Sequence, residues 1–111
     1  MPQVAAPKTL PLNKRLAWAV LQNGRMEGKV FSLVGGTVVG RGPDAQIDVT
    51  GDAVSPAHAT ILDDGEWWLL NHARDGSTRV GGEAIASGAK VKLSDGDVIT
   101  LGTASVIFKS L

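Results

Sequence analysis

Apolar positions along this chain fall in short stretches, each closed by a turn signal. Leu16-Ala17-Trp18-Ala19-Val20-Leu21 reads as a first strand, and Asn23-Gly24 as the turn after it. Lys29 to Leu33, Thr37 to Val39 and Ile47 to Val49 continue the series, the second of these ending at Gly40-Arg41. Ala57 to Leu62 and Glu66 to Leu70 flank Asp63-Asp64-Gly65, which predicts a hairpin. Arg79-Val80 and Glu83-Ala84-Ile85 flank Gly81-Gly82, which predicts another. Val91, Val98 to Leu101 and Ser105 to Lys109 complete the set, with Asp95-Gly96 and Gly102-Thr103 at turns. No segment sustains a helical stripe. Many short strands at regular spacing predict an all-β sandwich or barrel with at most one short helical turn.

Composition agrees with this. The 14 glycines argue against long helices, whose interiors each would weaken. A chain of 111 residues with 43% apolar content suits one domain around one core. Residues 1 to 13 carry Pro2, Pro7 and Pro11 and few bulky apolar side chains, so they are expected to be a disordered N-terminal segment or linker. The domain is expected over residues 14 to 111.

Charge and chemistry narrow the function. The formal net charge is zero, so no global field draws the chain to nucleic acid or to an anionic membrane. No basic and aromatic stripe suggests a nucleic-acid reader. Cysteine is absent, which removes disulfides, thiolate nucleophiles and cysteine metal sites. The only histidines, His58 and His72, show no metal-ligand spacing, so neither a metal nor a cofactor is expected. Asp63, Asp64, Asp95 and Asp97 lie in turn contexts, where aspartate serves turn chemistry. No nucleophile with an adjacent base is visible, so an enzyme is not expected. No apolar run spans a membrane, and the first residues lack a signal-peptide core, which points to the cytoplasm.

Four local patterns follow in a fixed order. Gly40-Arg41 ends a strand. Val54-Ser55-Pro56-Ala57-His58-Ala59 opens another. Gly76-Ser77-Thr78-Arg79-Val80-Gly81-Gly82 follows Trp67-Trp68-Leu69-Leu70. Leu93-Ser94-Asp95-Gly96-Asp97-Val98 leads into the closing apolar strand. Each alone is a weak signal. Together, from about Leu16 to Phe108, they make the chain resemble the forkhead-associated (FHA) domain family, in a bacterial form with a divergent binding loop.

The resemblance implies a Greek-key-like β-sandwich of about eleven short strands whose loops at one end hold a phosphothreonine peptide. The implied partner is a phosphothreonine-containing protein, in Ser/Thr-kinase-linked signalling or regulated assembly. The module is expected to be a monomeric domain, alone or within a larger chain or complex. Arg41 then offers a planar fork to phosphate oxygens, and Ser55 a hydroxyl donor. Ser77, Thr78 and Arg79 are the further candidates for ligand contact, while Gly40 and His58 support the loops. Pro56 stands where the family often has a polar or basic residue, and it has neither a side-chain donor nor an N–H. The usual loop asparagine is missing. Either Ser77-Thr78 are the hydroxyl pair and the asparagine-glycine step is deleted, or Gly76-Ser77 replace that step and Thr78 is the later threonine. Arg74 and Asp75 are adjacent and able to pair with each other. These departures motivate an alternative, a degenerate FHA domain that serves as a phospho-independent structural or interaction domain of a larger complex. Trp67 and Trp68, neighbours on a strand, should face opposite sides, one into the core.

Overall fold

The computed structural model describes residues 16–24, 26–49 and 54–111. The expected lead-in, residues 1 to 13, lies outside these. Eleven strands run through the described residues, with no helix. They are β1 Ala17–Leu21, β2 Val30–Ser32, β3 Thr37–Gly40, β4 Ile47–Asp48, β5 Ala59–Asp63, β6 Trp67–Asn71, β7 Thr78–Val80, β8 Glu83–Ala84, β9 Lys90–Lys92, β10 Val98–Leu101 and β11 Ala104–Ser110. Each expected strand is present within about two residues of its predicted place, and Val91 is the centre of β9.

The strands form two sheets, ordered β9-β6-β5-β3-β4 and β2-β1-β11-β10-β7-β8. All pairings are antiparallel except β3 with β4. The first strand pairs with the last, Ala17 opposite Ser110, so the ends of the described fold close on each other.

Period-two alternation decides what each sheet turns inward. In β1, Ala17, Ala19 and Leu21 are buried while Trp18 and Val20 are only half-buried. In β11, Ala104, Val106 and Phe108 face the core. Trp67 packs inward with its ring centroid 6.2 Å from that of Phe108. Trp68 takes the outer face, where the Lys90 ammonium sits 4.6 Å from its ring centroid. The expectation that these two tryptophans face opposite sides, one into the core, is met. The inner faces meet in one cluster that includes Val39, Ile47, Ile61, Leu69, Ile99 and Leu101.

One segment starts later than the pattern predicts. Ala57 is outside β5, because Ser55 to His58 form a turn closed by Ser55 N–H donating to His58 Nδ1 at 3.1 Å. Proline suits the second position of such a turn, which gives a local reason for Pro56.

Candidate functional site

Three connections meet at one end of the sandwich: residues 41–46 after β3, 54–58 before β5 and 72–77 before β7. Gly40 is where the first two touch. A Cβ built there would lie 2.1 Å from the Pro56 carbonyl oxygen and 2.8 Å from that of Ser55, so only glycine fits. The contact is sewn on both sides. Arg41 N–H donates to Ser55 O at 3.1 Å and His58 N–H to Val39 O at 3.0 Å. The glycine-arginine pair and the serine-x-x-histidine pattern are thus two halves of one backbone crossing.

Arg41 leaves that crossing as an exposed side chain. Its Nε donates to Val54 O at 2.9 Å, which tethers the guanidinium beside Ser55. Among the described residues no other hydrogen bond or ion pair holds its guanidinium. Ser55 is half-buried, and its hydroxyl borders a shallow groove of about 460 Å³ lined also by His72, Ala73, Arg74 and Asp75.

Beneath the groove lies a buried polar chain. His58 is fully buried. Its Nδ1 accepts from Ser55 N–H, so in the neutral ring the proton sits on Nε2. Nε2 donates to Thr78 Oγ1 at 2.8 Å, and Thr78 in turn donates to Asn71 Oδ1 at 2.7 Å. Asn71 continues the chain through its Nδ2 to Ile85 O at 2.9 Å and to Ala73 O at 3.2 Å. Burial pushes the His58 pKa below its usual value, against the weaker opposing pull of the Asp75 carboxylate. The imidazole is therefore neutral at neutral pH, as this hydrogen-bond pattern requires.

Sequence reasoning missed Asn71. The signal was there: it follows Trp67 and Leu69 at alternating inward positions, so it is a polar group placed where the pattern demands an apolar one.

Thr78 corrects an expectation. It is not a ligand-facing hydroxyl but is 0% exposed, held between His58 and Asn71. The cause is register: Thr78 pairs with Leu101 and Val80 with Ile99, both core residues, so Thr78 and Val80 turn inward. Arg79 lies between them and faces outward from the six-stranded sheet, where its Nη1 donates to Gly82 O at 3.3 Å. It sits mid-strand in β7, and its side chain reaches over the β7–β8 turn. Thr78 opens β7, and Gly76-Ser77 lie directly before it. Gly76 has φ of 75°, a backbone state that glycine and asparagine adopt more readily than other residues.

Arg74 and Asp75 do not pair. The Asp75 carboxylate instead accepts from Ser77 Oγ at 2.5 Å and Ser77 N–H at 3.1 Å. These bonds, with the hydroxyl contributing most, hold its pKa below the usual carboxylate value. Arg74 is exposed along the groove with no hydrogen bond or ion pair among the described residues.

Asp75, Ser77 and His58 lie close enough to suggest a catalytic triad, since Ser77 Oγ is 3.2 Å from His58 Nε2. The proton positions oppose it. Nε2 carries a hydrogen and cannot take one from Ser77, while Nδ1 is satisfied by a backbone N–H rather than by a carboxylate. What the arrangement offers is a braced, cation-bearing groove rather than an activated nucleophile.

A second hollow of about 330 Å³ is lined by Leu21, Met26, Phe31 and Val49 among others. Its cation, Lys29, sits 5.0 Å from the Phe31 ring centroid. It holds none of the candidate residues.

Comparisons with known proteins agree with this architecture. A family model, the FHA domain, matches residues 37–102. A structure from an analysis of phosphothreonine-dependent FHA domain interactions is 30% identical, with a TM-score of 0.73 over 85% of this chain and 95% of that one. The FhaA FHA domain, complexed with the intracellular domain of Rv3910, is 30% identical, with a TM-score of 0.71 over 84% of this chain and 99% of that one. Mycobacterium tuberculosis EmbR, in complex with a low-affinity phosphopeptide, is 27% identical with a TM-score of 0.72, over 85% of this chain and 24% of that one. Among curated proteins no sequence match is found. The two-sheet fold, the Gly40 crossing, the buried His58 and the matched span lead to one assignment: this chain belongs to the FHA domain family.

Proposed function

We propose that the loop end binds a phosphothreonine-containing peptide or protein, as a recognition module of kinase-linked signalling or regulated assembly in the cytoplasm, and that it performs no catalysis. The observation that carries this reading is the Arg41 guanidinium, tethered at Nε beside Ser55 on a crossing that only glycine permits. A phosphate carries roughly −1.5 to −2 charge near neutral pH and three acceptor oxygens. Arg41, tethered beside the groove, supplies the planar donor pair, Ser55 a hydroxyl, and Arg74 a second cation on the groove wall. Ser77 holds the groove-lining Asp75 carboxylate by its hydroxyl. The relatives named above, two of them described with phosphothreonine or a phosphopeptide, support the same assignment.

The threonine methyl favours phosphothreonine over phosphoserine, since burying one methyl contributes about 0.8 kcal/mol. Calorimetry with one peptide in threonine, phosphothreonine and phosphoserine forms tests the reading. Binding near micromolar, about −8 kcal/mol, is expected for phosphothreonine, several-fold weaker for phosphoserine and negligible for threonine. Equal binding of all three, or none at millimolar concentration, would sink it.

Equal binding would favour a second reading, a phospho-independent interaction domain. The Asp75 carboxylate in the groove is the observation on its side.

A further inference from the structure

Asp75 is a charge that the phosphate reading leaves unused. It lines the groove with Ser55 and Arg74. Its hydrogen-bond partners, the Ser77 hydroxyl and N–H, are neutral, so they orient the carboxylate without cancelling its charge. No cation pairs with it among the described residues. Held this way it stays ionised at neutral pH. A phosphate dianion entering beside Ser55 therefore meets a like charge along with the Arg74 cation, and a basic group on the ligand would offset that repulsion.

We propose that Asp75 makes the groove select phosphopeptides carrying an arginine or lysine close to the phosphorylated residue. This rests on the phosphate reading of the same groove. Arg41 and Arg74 receive the anion, and Asp75 receives the neighbouring cation. An extended peptide advances about 3.3 Å per residue, so a long basic side chain one to three positions from the phosphothreonine falls within the neighbourhood of the groove that Asp75 lines. Because Asp75 is exposed, water and salt screen the pair, and the preference is modest. Charge also acts on encounter, so the gain should shrink with added salt.

The test is an arginine scan of one neutral phosphothreonine peptide, three positions to either side, with a glutamate scan alongside. Each peptide is measured by fluorescence anisotropy on the wild type and on Asp75→Asn, together with its unphosphorylated twin. Asparagine keeps an oxygen acceptor for Ser77 and removes only the charge. In the wild type, arginine at one or more positions should strengthen binding roughly three- to fivefold, and glutamate there should weaken it. In Asp75→Asn the arginine gain should vanish, and the neutral phosphopeptide should bind more tightly than to the wild type. Phospho-dependent binding with the same arginine gain in both proteins, or with no gain at any position in the wild type, overturns the proposal and leaves the phosphate reading intact. Twins that bind as well as the phosphopeptides overturn the phosphate reading, and the proposal with it.

Discussion

Arg41 commits its Nε–H to the Val54 carbonyl and keeps the rest of the fork outward. A surface arginine normally loses side-chain entropy on gripping a ligand, and this tether has already removed part of that freedom. Arg41→Ala should therefore weaken phosphopeptide binding by on the order of 2 kcal/mol, the scale of charge-assisted hydrogen bonds. Its melting temperature should stay close to wild type, because the side chain is exposed. Unchanged affinity in the folded variant would take Arg41 out of the site. Gly40 makes the opposite prediction. A methyl there collides with backbone oxygen, not with a side chain that can swing away. Gly40→Ala should cost roughly 3 kcal/mol of stability, the upper part of the overpacking range. Urea unfolding measures it, and a cost under about 0.5 kcal/mol, the scale of an ordinary surface change, would contradict the close approach.

Between elements, the buried chain from Ser55 through His58 and Thr78 to Asn71 joins the turn before β5 to the ends of β6 and β7. Thr78→Val keeps the shape but removes the hydroxyl that links His58 to Asn71. Destabilisation of about 1–3 kcal/mol should follow, with binding and melting temperature falling together. Lost binding in a fully stable variant would instead mean that Thr78 touches the ligand. The same chain is sensitive to acid. His58 has a folded pKa below its unfolded value of about 6.5, so the unfolded state takes up its proton first. Its contribution to stability is complete above about pH 6.5 and is lost as pH falls from there through the folded value. Protonation would also turn Nδ1 into a donor facing the Ser55 N–H. Melting temperature should drop between pH 7.5 and 5, and His58→Gln should flatten that dependence. Parallel curves for the two proteins would refute it. The lowered carboxyls of Asp75 and Asp95 act in a separate window, below their unfolded value of about 4.

Across the whole molecule, the two sheets share one core, and the site end has no core of its own. Phe108 is fully buried in the long strand β11, against Trp67 of the opposite sheet. Phe108→Ala should cost about 3–5 kcal/mol, a large fraction of the 5–15 kcal/mol that holds a typical domain folded. Chemical denaturation should show it as a lower midpoint, with the groove lost in the same transition. A separate, earlier loss of binding would mean that the loops unfold independently. The neutral net charge belongs to this scale as well. With no net charge acting at long range, the proposed recognition falls to local side chains such as Arg41, Arg74 and Asp75.

Period-two alternation, glycine turns and the order of four short motifs determined the all-β class, the strand positions and the family, because strand pattern and turn chemistry are local properties of the chain. The resemblance also placed Gly40, Arg41, Ser55 and His58 at the binding loops, and the structure joins them at one backbone crossing. Local pattern did not decide which loop residues face the ligand. Thr78, Arg79 and Arg74 are all polar residues near a glycine turn, and nothing in their spacing separates them. Only the pairing of β7 with β10 turned Thr78 into the core and Arg79 onto the outer face, because a one-residue change of register would have exchanged them. Only the packing of that inward threonine against His58 and Asn71 showed that the hydroxyl expected at the surface is the link that braces the site. And only Ser77, by capturing the Asp75 carboxylate, left Arg74 without its sequence neighbour as a partner.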